Sequence, residues 1–538
     1  MSNRSPSNGS LVHSLARRAW LKRIFRVPLT RLAMPFSSVV LGFGVSGLTA
    51  CSRPAEASTI RMAVSGRAQM LDPRKATDAL SSRVNRLLYR QLIDFDERFA
   101  PVPDLASWKV LSPTHYRFNL REESLFIDGS RLTAVDVVAT YQSVLNPEFG
   151  SAHRGSLKNI EALNALDEQT IDFHLAEPDA LFVGRLVIGI LPQHYIAQQH
   201  PFHLEPIGSG ACRCVQISEQ SIVLQRRDDK VLLEFVPVKD ATVRVLKILK
   251  GEVDIIQNDL SPELVDYCRH QPQVQVDFAA GTNFGYIGFN FEDSLLTQLP
   301  LRQAIAHGID RQAVIDAMFK GRARLGKGLL VPEHWCGVQE LVEYEYSPEK
   351  AKALLQQVVV PDELRRKDEH NQPIIELSYK TSNDPTRIRL ATIYQAQLKP
   401  LGIHLKIQSY DWGTFYNDIK QGRFQLYSLA WVGVKSPDIF QYVFASNAIP
   451  PKGANRGRYI DEQADALIAQ AAQSVSLAEQ AELYRELQRR LQQQLAAMPL
   501  WYEDQYAVLR KQISGYRLFA DGRFDGLLNC HKKSGLST

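Results

Sequence analysis

Between residues 374 and 429 the apolar period of the sequence switches back and forth, and that alternation restricts the fold more than any other stretch. Residues 374–379, 403–408 and 424–429 are apolar over strand length, whereas Pro385–Leu398 and residues 412–420 repeat apolar side chains at helical spacing. Strands separated by helices of crossover length pair in parallel and need a helical layer on each face, so this region predicts an α/β lobe. The rest of the chain is less regular. Strands are predicted over 58–64, 114–120, 163–174, 216–226 and 231–236, and helices over 81–92, 134–145 and 242–250. Residues 281–291 read Gly-Thr-Asn-Phe-Gly-Tyr-Ile-Gly-Phe-Asn-Phe, an apolar strand broken by glycines. Glycine there permits close backbone approach, which suits either a crossing between lobes or a bulged edge strand. Residues 461–495 read as helical and 499–508 as strand, so the chain enters a second lobe near 285 and leaves it near 500.

Charge separates the first fifty residues from the remainder. The chain has 63 basic and 58 acidic residues; Arg4, Arg17, Arg18, Lys22, Arg23, Arg26 and Arg31 precede any acid, leaving 56 against 58. The positive balance therefore gives no reason to expect a nucleic-acid partner. A basic region followed by an apolar stretch has the layout of an export signal, and residues 39–50 are too short for a membrane span. Leu48-Thr49-Ala50-Cys51 resembles a bacterial lipobox, which implies lipidation at Cys51. Arg17-Arg18 also resembles a twin-arginine export motif.

No constellation for catalysis emerges. Gly321 to Lys327 matches most of a phosphate loop, but Gly328 stands where a magnesium-binding hydroxyl is needed, and a predicted helix precedes it. Cys212-Arg213-Cys214 lacks zinc spacing, and five cysteines after Cys51 cannot all pair within one chain. The reading is a non-enzyme without metal or cofactor. Aromatic residues near predicted strand ends offer a binding surface instead, and Trp431, ending a strand, is the one expected to face a cleft.

Taken in order, several stretches resemble the family 5 extracellular solute-binding proteins, the oligopeptide- and dipeptide-binding components of ABC importers. They include Leu71-Asp72-Pro73, Tyr116-Arg117-Phe118-Asn119-Leu120-Arg121, Phe126-Ile127-Asp128-Gly129 and Thr133-Ala134-Val135-Asp136-Val137. Pro206-Ile207-Gly208-Ser209-Gly210, Gly251-Glu252-Val253-Asp254, Arg302-Gln303-Ala304-Ile305-Ala306 and Leu401-Gly402-Ile403 continue the series. The resemblance implies an α/β two-lobe periplasmic binding protein of type II, cluster C-like, with an extra subdomain on the first lobe. The expected division is a leader over 1–50, a first lobe from 58–80, 206–284 and 500–538, a subdomain over 81–205 and a second lobe over 285–499. It further implies a monomeric, lipid-anchored periplasmic receptor for peptides or peptide-like compounds, with an ABC permease and its ATPase subunits as partners. Nickel-chelate, haem or other non-peptide receptors and ligand-binding sensory modules are the alternatives.

In peptide binders of this family an Asp soon after the residue matching Trp431 fixes the ligand ammonium; here that position is Val434, followed by Lys435. The contact loop matches Thr77, Asp78 and Ala79, so Asp78 or Asp438 is expected to replace the missing carboxylate, with Asp438 alternatively capping the helix after it. Lys435 and Arg387 are expected to favour an anionic group, and Gly433 completes the loop after Trp431.

Overall fold

The computed structural model describes residues 59–121, 123–474 and 476–533; Cys51 and the export leader lie outside them. The five cysteines among these residues are all free thiols. A twelve-stranded sheet runs through the molecule, in two halves that two long strands join. In the first half Thr59–Val64 pairs in parallel with Leu232–Pro237 and with Ile255–Gln257. In the second, Pro373–Ser382 pairs in parallel with Ile403–Tyr410 and with Leu426–Trp431. Helices Pro385–Leu398 and Trp412–Gln421 connect these last three strands, as the alternation in the sequence predicts.

The joining strands are Val274–Phe289 and Ala497–Arg510, antiparallel from Val274 opposite Arg510 to Gly288 opposite Ala497. Ala279 pairs with Gln505 and Asn283 with Glu503, so three residues bulge against one, Asp504. A bulge breaks the ladder and raises local twist. Gly281 lies within it, and a Cβ there would come 2.1 Å from the Glu503 carbonyl oxygen. The glycine-punctuated strand is thus a crossing strand, paired on both sides beyond the bulge with Leu426–Trp431 and Ala497–Arg510.

Each half has its own apolar core. Ile60, Leu87, Phe235, Ile255 and Leu509 pack in the first, and Ile305, Leu377, Tyr394, Leu405 and Trp501 in the second. Fully burying side chains of this size stabilises by roughly 1.5–3 kcal/mol each. A separate four-stranded antiparallel sheet, Ala106–Ser112, His115–Leu120, Thr170–Leu175 and Ile160–Ala165, carries helix Ala134–Leu145 on one face, with Phe118, Tyr141 and Phe173 between them. The core of this subdomain runs from Leu92 to Ile190. The expected boundary at 81 instead falls inside helix Ala79–Leu88, whose Val84, Leu87 and Leu88 pack in the first half, and Leu191 and Phe202 return there too. The amphipathic period identifies this helix but cannot say which sheet its apolar face meets.

A further aromatic layer, including Phe284, Tyr427, Phe440, Tyr484 and Tyr502, fills the space toward helices Ile439–Phe444, Glu462–Gln473 and Leu477–Gln493. The predicted helical run 461–495 is therefore two helices, divided at Ser474. Among the described residues no helix is long and apolar enough to cross a membrane.

Candidate functional site

Parallel strands end with exposed loops at their carboxyl ends, and ligands in open α/β sheets collect there. Both halves direct such ends to one cavity of about 540 Å³, which Asn258 to Ser261 line from the first half, Asp384, Thr386, Arg387 and Val432 from the second, and Phe278, Asn283, Glu503 and Asp504 from the joining strands. Asn258 and Asp259 both have left-handed backbone, with φ of 58°. Their surroundings hold that strained turn. The Asn258 amide donates to the Gln505 side-chain oxygen at 2.6 Å and accepts from Tyr506 N–H at 3.1 Å. The Tyr506 hydroxyl accepts from Leu260 N–H at 2.7 Å and donates to its carbonyl at 3.0 Å.

Many charges at this cleft are committed to the protein. Asp259 accepts from the Ser65 hydroxyl at 2.7 Å, Asp384 caps its helix through Arg387 N–H at 3.0 Å, and Asp266 pairs with Arg269 at 3.6 Å. Glu263 of the first half pairs with Arg389 of the second at 2.7 Å. Glu503 and Asp504 differ. Among the described residues neither side chain has an ion-pair or hydrogen-bond partner, and burial pushes the Asp504 carboxyl above its usual range against the pull of Arg324 and Arg322. On the cationic side the Arg322 guanidinium lies 4.2 Å from the Phe278 ring centre, and Arg387 contributes to the wall. The cleft therefore presents two carboxylates without side-chain partners at the bulge, with Arg322 beside Asp504, and further cations in its wall at Arg83, Lys320 and, from the second half, Arg387.

Of the residues singled out by sequence, Arg387 alone lines this cavity. Trp431 does not: its ring packs edge-on to Tyr442 at 6.4 Å with the Arg456 guanidinium 4.9 Å above it, while the next residue, Val432, lines the cleft. Successive strand side chains point to opposite faces, so strand-end position alone could not choose between them. Thr77 and Ala79 are exposed outside the cavity wall, and Asp78 caps helix Ala79–Leu88 by accepting from Ser81 N–H at 2.8 Å. Gly433 has a left-handed φ of 69°, and Val434 packs half-buried against the aromatic layer.

Lys435 forms an ion pair with Asp521 at 2.6 Å, and Asp438 pairs with Arg185 at 2.6 Å. Asp438 makes no side-chain cap to the helix after it. Burial raises the Asp521 carboxyl, but Lys435 and Arg523 outweigh it and hold it below its usual range. The two expected replacement anchors, Asp78 and Asp438, are thus occupied by a helix end and an arginine. Sequence reasoning missed Glu503 and Asp504. Their signal was two adjacent carboxylates inside an otherwise apolar strand.

The family described as "Bacterial extracellular solute-binding proteins, family 5 Middle" matches residues 100–450. The dipeptide-binding protein of Escherichia coli (strain K12) is 24% identical over 517 residues, 88% of this chain and 95% of that protein. Heme-binding protein A of Haemophilus influenzae is 26% identical over 472 residues, 80% and 84% of the two chains. The crystal structure of the ABC transporter substrate binding protein CtaP from Listeria monocytogenes superposes with a TM-score of 0.79 at 21% identity, covering 89% of this chain and all of that one. With its two-lobe α/β architecture and a cleft at the strand ends, the chain belongs to the bacterial extracellular solute-binding proteins of family 5.

Proposed function

We propose that this protein is the extracytoplasmic receptor of an ABC importer, capturing peptides or peptide-like compounds between its lobes and presenting them to a permease served by ATPase subunits. The observation that carries the reading is the charge arrangement of the cleft, where Glu503 and Asp504 have no side-chain partner among the described residues and Arg387 stands on the wall from the second half. A zwitterion fits that polarity, with its ammonium group at the carboxylates and its carboxylate at the Arg387 guanidinium. An ammonium in a half-buried site needs such an anion, because unpaired buried charge is costly. Similarity to the dipeptide-binding protein of E. coli supports the ligand class. The periplasmic location and lipid attachment through Cys51 rest on the sequence of the leader. No covalent chemistry is assigned to the cleft.

A second reading, a non-peptide ligand, is favoured by Val434 and by the Lys435–Asp521 pair at the loop where the family's peptide binders carry their ammonium anchor. Mass spectrometry of what is released from the exported protein separates the two, followed by calorimetry with a defined dipeptide pool. A mixture of short peptides, with Asp504→Asn weakening their binding about tenfold or more, supports peptide capture. A single non-peptide species, or no binding from the pool by the folded protein, overturns it.

A further inference from the structure

Outside the cleft, on the face of the subdomain sheet opposite helix Ala134–Leu145, two histidines and an aspartate converge across neighbouring strands. His115 and His174 stand directly opposite one another in the antiparallel register of His115–Leu120 and Thr170–Leu175, and Asp172 stands opposite Arg117. The imidazole rings stack with centres 4.1 Å apart and planes 25° from parallel. One ligand atom from each of His115, Asp172 and His174 lies within 4.8 Å of the others. His115 Nε2 is 3.0 Å from Asp172 Oδ2. Arg117 holds the same carboxylate through Nε to Oδ1 and Nη2 to Oδ2, both at 2.7 Å.

We infer that His115, His174 and Asp172 form a binding site for a divalent transition-metal ion of the zinc, copper or nickel class, separate from the ligand cleft. Two imidazoles and one carboxylate are the donors these ions prefer over the harder magnesium and calcium. Cross-strand register fixes the histidines on one face. A carboxylate oxygen has two lone pairs, so an ion can enter between His115 Nε2 and Asp172 Oδ2, replacing that hydrogen bond while Arg117 keeps its grip on Oδ1. Arg117 then orients the ligating carboxylate, as groups behind metal ligands commonly do, and its charge weakens the site. Three protein donors leave a fourth position open to water. Asp172 is 4% exposed while His115 and His174 are half-buried, so the carboxylate is shielded and both rings remain reachable from solvent.

The test is calorimetric titration of the chelator-treated full chain lacking its leader with Zn²⁺ alone, alongside His115→Ala, His174→Ala and Arg117→Gln. The expected result is one Zn²⁺ per chain, binding at least tenfold weaker in either histidine variant and tighter in Arg117→Gln, with metal-free melting temperatures of the histidine variants close to the parent. Cys214→Ser retains the site if the inference holds, since the partly exposed Cys214 thiol lies on a different sheet. No binding at millimolar Zn²⁺, or binding in both histidine variants as tight as in the parent, overturns it. If a histidine variant fails to fold, Arg117→Gln decides, because a structural role for the cluster predicts no tighter metal binding.

Discussion

His334 shows how one side chain can tie stability to pH without taking part in binding. It is 2% exposed; its Nδ1 accepts from Cys336 N–H at 3.2 Å, and Nε2 donates to the Lys435 carbonyl at 3.0 Å, an assignment that requires the neutral ring. Its ring stacks on Phe99 at 5.7 Å. Burial lowers its pKa to about 4, with Lys435 carbonyl bonding and Asp96 opposing and Arg98 reinforcing the shift. Below about pH 6.5 the unfolded chain takes up a proton that the folded one refuses. Stability from this residue is therefore complete above that pH and is lost as pH falls toward 4, by roughly 3 kcal/mol in all. Denaturant unfolding at pH 7 and pH 5 should show a loss in the parent and a smaller one in His334→Gln. Nothing in the local sequence marked this histidine, because its burial and its bond to Lys435, about a hundred residues away, come only with the fold.

Among elements, helix Ala79–Leu88 separates a structural role from a binding one. Asp78 has the residue type and position of an N-cap, and the structure gives its carboxylate to Ser81 N–H. Asp78→Ala should cost about 1 kcal/mol in denaturant unfolding and leave peptide affinity unchanged. A large affinity loss at unchanged stability would instead make Asp78 a ligand anchor. The elements themselves were legible where local chemistry specifies them. The helix expected over Pro385–Leu398 has those bounds, with Pro at its first position and Asp384 as cap, and Leu426–Trp431 ends at the tryptophan. Strand periodicity could not reveal the bulge opposite Asp504, which depends on how two strands more than 200 residues apart align.

At the scale of the molecule, ion pairs tie the parts around the loop after Trp431. Lys435 meets Asp521, whose side chain is 5% exposed, and Asp438 meets Arg185 of the subdomain. Removing Lys435 leaves Asp521 without its nearest cation. Lys435→Met should destabilise by about 2 kcal/mol, and the double variant with Asp521→Asn by less than the sum of the singles, measured as a double-mutant cycle in denaturant. Additive losses would show that the pair contributes no coupling. The Glu263–Arg389 pair across the cleft has both side chains more than half exposed, so its loss should matter little. By itself the sequence determined the α/β class, the crossover order of the second half and the family, because periodicity and turn chemistry act over a few residues. Only the tertiary structure decided that Asp78 and Asp438 are engaged, that Glu503 and Asp504 have no side-chain partner among the described residues, and that Val432 rather than Trp431 lines the cavity. Whether a charge is available to a ligand depends on which distant group already neutralises it, and that pairing exists only once the chain is folded.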